Sequence, residues 1–247
     1  GSDQYIVQLG FFQGEVSAVD SNEPSPVKYT HFLYRRAGLV FAAMNGSPVA
    51  LKRLVDEYTY GADKIEPDAE RAKVWLKIGA ENEDIRSLHN LGVLYVQEKN
   101  DRAAVPYFRR AAELGFAGSQ NNYGWHLYEG TGVKRNKAEA VYWIVRAAEQ
   151  GEPFAYGSLC EIYGAGDVFR RDDVEAMKWC RLAADTMPMG KARDTAVRIM
   201  DRFARKMKDK EVAAANERVE LWRPLKQTSS TLRDKDDNTK PMQRRYF

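Results

Sequence analysis

Histidine and cysteine are scarce, three and two residues among 247, and that scarcity sets the first bounds on the chemistry of this chain. His31, His89 and His126 have neither close spacing nor an HExxH arrangement, so they read as helix-surface or half-buried residues and no zinc site is expected. No apolar run approaches the roughly 20 residues that span a bilayer. An excess of one charge is missing too: 38 Lys and Arg face 35 Asp and Glu, a formal net charge of +3, which argues against a nucleic-acid binder. The densest basic stretch, with Arg193, Arg198, Arg202, Arg205, Lys206 and Lys208, is interleaved with Asp194, Asp201 and Asp209. Asp234 to Asp237 lacks the glycine and distal glutamate of a calcium loop. Cys160 and Cys180 stand at small, packed positions and read as buried thiols, with a disulfide as the alternative.

What the chain has in abundance is repetition. Residues 136–151 read NKAEAVYWIVRAAEQG and residues 172–186 read DDVEAMKWCRLAADT, so Trp143 and Ala147-Ala148 return 36 residues on as Trp179 and Ala183-Ala184. A period of this length, in copies too small to bury their own apolar faces, points to a helical solenoid. Each copy carries a second apolar run upstream of its tryptophan, closed by a glycine-rich turn, which makes the unit helix, turn, helix. Two further units align in the same register. The first helices then share Leu54, Leu91, Tyr123 and Leu159, with Tyr58, Tyr95, Leu127 and Tyr163 one turn on. The second helices share the aromatics Trp75, Tyr107, Trp143 and Trp179, read as internal pegs beside small alanines that let helices approach closely.

The expected organisation is an N-terminal segment and capping helix (3–46), four repeats (47–82, 83–115, 116–151 and 152–186), C-terminal capping helices (187–224) and a polar tail (225–247). Within the first segment, YIVQLGFF suggests a short strand or extended run. Ser47-Pro48 opens a helix as cap and first residue, and Pro67 opens its partner. Pro106 lacks a donor, so its helix starts only a few residues earlier or bends there. Gly1-Ser2 looks like the scar of a cleaved tag, which suggests that an upstream piece, a targeting signal among the possibilities, was removed.

The runs Leu91 to Gly115, Glu129 to Gly151 and Ile162 to Asp185 resemble the Sel1-like repeat, a relative of the tetratricopeptide repeat. Gly130-Thr131-Gly132-Val133, Lys137-Ala138, Trp143, Ala147-Ala148 and Gly151 carry the resemblance most fully. The second unit lacks the G-x-G turn, and Thr186 stands where the family has glycine. The resemblance implies an all-α, right-handed α/α solenoid of helix-turn-helix units that binds proteins and is not an enzyme. The leading segment Phe32 to Gly61 also resembles bacterial repeat proteins that act as periplasmic immunity proteins against type VI secretion phospholipase effectors. That likeness implies a periplasmic chain, lipid-anchored if a removed leader carried the anchor, whose partner is a secreted phospholipase effector encoded nearby. A general adaptor or scaffold, with a cytoplasmic location, is the second reading, and a module with chemistry in residues 3–31 or in the C-terminal cap is the third.

No cofactor is expected: Gly130-x-Gly132 follows a helix instead of a strand and lacks the third glycine of a nucleotide loop. Candidate partner-binding residues are those of the first helices left over from the buried columns: Asn90, Asn122, Trp125, His126, Glu129, Tyr156 and Glu161. Trp125 stands out, because burial is assigned to Tyr123 and Leu127; it is either a partner anchor or packing within the stack.

Overall fold

The computed structural model describes residues 36–62, 65–166, 168 and 171–225. The proposed N-terminal strand, His31 and most of the polar tail lie outside the described residues. The chain divides into two compact units, residues 1–87 and 88–247, and all extended elements among the described residues are helices.

In the first unit, helix α1 (36–44) is followed by α2 (Pro48–Tyr60) and α3 (Ala69–Glu81). The Ser47 side chain accepts from the Ala50 amide and Pro48 occupies the first helical turn, as the sequence suggests. At α3 the cap is Asp68, which accepts from the Arg71 amide at 3.0 Å, so Pro67 precedes the cap and does not open the helix. Leu51, Leu54 and Tyr58 of α2 bury their ridge against Ala72 and Trp75 of α3. Arg36 is buried with them because its guanidinium is fully used: one end pairs with Glu57 and the other donates to the Tyr58 hydroxyl at 2.8 Å.

Helix α4 (Ile85–Gln97), from Leu88 onward, belongs to the second unit with α5 (Asp101–Glu113), α6 (Ala117–Glu129), α7 (Lys137–Glu149), α8 (Pro153–Ala165), α9 (Asp173–Thr186), α10 (Lys191–Ala204) and α11 (Asp209–Leu221). Every second helix of a repeat starts on an Asp or Asn: beyond Asp68, Asn100, Asn136 and Asp172 accept from the amides of Ala103, Glu139 and Glu175. Where the second repeat lacks glycines, Lys99 takes the left-handed conformation (φ 59°) between α4 and α5. Helix α5 begins five residues before Pro106 and continues through it.

The aligned columns are buried, with one refinement. Leu91, Tyr123, Leu127, Leu159, Tyr163, Trp143 and Trp179 lie in the core, whereas Tyr95 and Tyr107 are half-buried and stack on one another with ring centroids 5.5 Å apart. The buried aromatic of α5 is Phe108, one residue on from the expected peg.

Positions 92 and 108, 124 and 144, and 160 and 180 are equivalent in three successive repeats, and they mark the closest approach of the paired helices. A Cβ on Gly92 would come within 2.5 Å of Phe108, and one on Gly124 within 2.6 Å of the Ile144 side chain and 2.8 Å of the Ala140 carbonyl. In the last repeat the same place holds Cys160 and Cys180, joined as a disulfide with Cα atoms 4.7 Å apart. The buried-thiol reading is thereby corrected: the close approach that demands glycine elsewhere brings two cysteines within bonding range here. Gly124→Ala is expected to cost about 2 kcal/mol, because the new methyl meets backbone as well as a side chain. Urea unfolding checks it, and an unchanged midpoint would show that the pair can part without cost.

The stack continues past the fourth repeat. Helices α10 and α11 pack on α9, and the end of α11 places Trp222 on Trp179 and Tyr156, with the Trp222 indole donating to the Tyr156 hydroxyl at 3.1 Å. The Lys178 ammonium lies over the rings of Trp179 and Trp222, 3.9 and 4.7 Å from their centroids, and pairs with Glu175.

Candidate functional groove

A groove of about 660 Å3 opens within the second unit. The end of α4 contributes Val93 and Val96, α6 contributes Asn122 and Trp125, α8 contributes Phe154, Gly157 and Glu161, and Met187 with the start of α10 closes the far side. Most of the lining comes from first helices, because α7 and α9 hold the Trp143 and Trp179 columns with their alanines in the core; α5 adds Asp101 and Phe108. Its surface is mainly apolar. Val96 and Phe154 are 39% and 46% exposed, too much for core residues of their size.

The sequence candidates divide sharply. Trp125, Asn122 and Glu161 line the groove and are accessible. Trp125 is half-buried: its ring stacks on Tyr128 at 5.3 Å, so it packs within the stack, and it also lines the groove. His126 also lines the groove but is buried. Its Nδ1 lies 3.0 Å from the Thr131 carbonyl and 2.9 Å from the Thr131 hydroxyl, so His126 fastens the α6–α7 turn. Glu129 is exposed at the end of α6. Asn90 is exposed outside the groove, and Tyr156 is not on the face at all: at 3% exposure it stacks on Trp179 in the core. Tyr156 is therefore corrected from contact residue to packing residue; its aromatic face is claimed by helix α11, which the repeat register does not include.

Polar groups of the groove are largely committed to one another. The Ser158 hydroxyl donates to Asn121 Oδ1 at 2.8 Å, tying α8 to α6. His89 meets Ser119 Oγ at 2.9 Å, and burial pushes the His89 pKa down. Among the described residues no three metal-ligating side chains cluster. Glu161 is different. It makes no hydrogen bond or ion pair among the described residues, and its pKa is raised, first by desolvation against the groove walls and then by the like charge of Glu129. A carboxyl that is harder to ionise in the folded chain takes stability away as pH rises through the ordinary carboxylate range and up to the raised value. Glu161→Gln is therefore expected to raise the melting temperature at pH 7 and to leave it unchanged near pH 3; a loss of stability at pH 7 would contradict this.

Val96, Phe154, Met187 and Ala192 were not among the sequence candidates. The signal for Val96 and Phe154 was present, since both are apolar residues left over from the columns, as Trp125 is. Met187 and Ala192 could not be found from the repeats, because they enter from the cap.

The structure is similar to two solved repeat proteins. One is a protective antigen of uropathogenic Escherichia coli with an SLR fold, 28% identical over 83% of this chain, with a TM-score of 0.65; this chain covers only 42% of that protein's length. The other is a Sel1 repeat protein from Oxalobacter formigenes, 25% identical over 67% of this chain and 76% of its own, with a TM-score of 0.52. An immunity protein from Pseudomonas aeruginosa aligns over 78% of this chain and 81% of its own at 16% identity, but its TM-score of 0.32 carries no argument. Residues 50–84, 85–116, 117–152 and 154–185 each match the Sel1 repeat, in a register within a few residues of the one read from the sequence. Those four matches take up more than half of the chain, which belongs to the Sel1 repeat family.

Proposed function

We propose that the groove of the second unit is the face with which this chain holds a partner protein, and that the partner is a secreted phospholipase effector which the chain neutralises. The chain is a non-catalytic, protein-binding repeat scaffold; the identity of the partner is the step beyond that. The groove supports the reading most directly, because it leaves Trp125, Phe154 and Val96 half-covered and gives an incoming side chain apolar walls to displace water from. Inhibition then needs no chemistry, only a surface that occludes the effector. The likeness of Phe32 to Gly61 to effector-neutralising repeat proteins suggests the class of partner. A periplasmic location belongs to this reading, and the disulfide between two buried cysteines supports it, because such a bond persists in an oxidising compartment and not in a reducing cytosol.

Co-purification with the product of the adjacent gene, followed by a lipase assay with and without this chain, tests the assignment. A complex and loss of lipase activity are expected. Neither appearing would overturn the phospholipase assignment.

Gly157 offers a cleaner probe of the groove than Trp125, whose removal also disturbs packing. A Cβ on Gly157 meets only Met187, at 3.5 and 3.6 Å, which is ordinary contact. Gly157→Ala is expected to stabilise the chain by about 0.5–1 kcal/mol through helix propensity. Differential scanning fluorimetry checks this, and a lowered melting temperature would contradict it.

A further inference from the structure

The groove carries a charge asymmetry that narrows what can occupy it. Its lining includes the carboxylates of Asp101 and Glu161 and no Lys or Arg. Glu129, at the end of the neighbouring first helix, is close enough to Glu161 to make its ionisation harder. The chain as a whole is positive by three charges, and Arg198 and Arg202 of α10, with Arg205 just beyond its end, line a different surface hollow that also holds Asp201. Acid is thus gathered at an apolar cleft whose lining holds no basic side chain to neutralise it. Neither Glu129 nor Glu161 has an ion-pair partner among the described residues. A carboxylate without an ion-pair partner beside apolar walls is poorly solvated, and a cation brought to the Glu161 side of the groove offsets that cost.

We propose that the groove takes a segment of a partner protein in which a Lys or Arg side chain stands beside apolar residues. Its cation reaches the Glu161 and Glu129 carboxylates while the apolar neighbours rest on Trp125, Phe154 and Val96. The long methylene stem of Lys or Arg suits this cleft, because it can lie along apolar surface while its head meets the carboxylates at the rim. An acidic segment of equal shape is rejected by the same charges. This inference rests on the groove being the protein-binding face, and it specifies the chemistry of what binds there.

A random dodecapeptide library displayed on phage, panned on the full chain, provides the probe. Enriched peptides are synthesised and titrated by fluorescence anisotropy against wild type, Glu129→Gln/Glu161→Gln, and two groove variants, Gly157→Leu and Phe154→Asp, with melting temperatures confirming that each folds. Enriched peptides are expected to share a Lys or Arg next to an aromatic or branched aliphatic residue. Both groove variants should weaken them, and the double Gln variant should weaken them at least tenfold, with wild-type affinity falling as salt is raised. Peptides that depend on Gly157 and Phe154 but carry no common cation, or bind the double Gln variant unchanged, would overturn the charge assignment and leave the groove as the binding face. No enrichment, or enrichment indifferent to both groove variants, would overturn the groove itself and this inference with it. The chain's own residues 240–247, KPMQRRYF, have the same chemistry. If Arg244→Glu/Arg245→Glu in the full chain tightens peptide binding, the tail occupies the groove and the assignment to a partner protein is overturned.

Discussion

Gly132→Ala is expected to destabilise the second unit by about 3–4 kcal/mol, the largest single effect anticipated here. Two costs add. Gly132 holds φ at 70°, where a side chain costs about 1–2 kcal/mol. Its Cβ would also stand 2.5 Å from the Asp101 carbonyl carbon and oxygen and 2.8 Å from the Arg102 nitrogen, backbone atoms at the start of α5 that no side-chain rotation can move aside. The turn has little freedom to swing away. The His126 carbonyl accepts from the Gly130 and Thr131 amides, Leu127 accepts from Asn136, and the Arg135 guanidinium donates to the Tyr128 carbonyl at 2.9 Å. Gly130 is the control. It too is left-handed, with φ at 79°, but its Cβ would meet only Arg135, whose Cβ lies at 3.0 Å and whose backbone Cα is at ordinary contact distance, 3.5 Å. Asparagine tolerates that conformation, so Gly130→Asn should cost about 1 kcal/mol while Gly132→Asn stays near 3 kcal/mol. Urea unfolding of the pair decides it, and equal losses would mean that the approach to α5 is unimportant.

The second large effect lies in the fourth repeat. Cys160→Ala/Cys180→Ala is expected to cost about 3 kcal/mol, because the cross-link closes a loop of 20 residues in the unfolded chain. Both cysteines are fully buried, so the folded chain should resist dithiothreitol while the unfolded chain is reduced by it. Chemical unfolding with reductant present should then give a lower midpoint than without, and the double alanine variant should show no such difference. Two free thiols on alkylation of the oxidised, denatured protein would contradict the account.

The two effects share a physical origin, the close approach of chain segments inside the stack, and the sequence conveyed it unevenly. The register of the repeats was legible because Trp143 and Trp179, with their alanine pairs, repeat at a spacing that only a stacked unit explains. Gly130 and Gly132 were legible as a turn, but not the reason that the second glycine is irreplaceable, since Asp101 is a neighbour only after α6 packs on α5. The disulfide was half legible. Positions 92 and 108, 124 and 144, and 160 and 180 fall out of the same alignment, yet a glycine facing a phenylalanine and a cysteine facing a cysteine do not look like one feature until the helices are seen to touch there.

The groove was legible in its centre and not at its ends. Trp125, Asn122 and Glu161 follow from asking which first-helix residues the columns leave over. Tyr156 fails that test because a helix more than 50 residues away covers it, and His126 fails because its imidazole turns inward to hold Thr131. Tyr107 and Phe108 differ by one position on α5, about 100° of helix, and the choice between two adjacent aromatics is settled by Gly92, which leaves room for a ring.

The central claim is that the groove of the second unit is where a partner protein is held. Titration of the partner protein recovered by co-purification against wild type and Gly157→Leu tests it most directly, because leucine there fills the groove from a position where a Cβ meets only Met187 at ordinary contact distance. The account predicts a dissociation constant at least tenfold weaker for Gly157→Leu at a melting temperature no lower than that of wild type. An unchanged dissociation constant would contradict it.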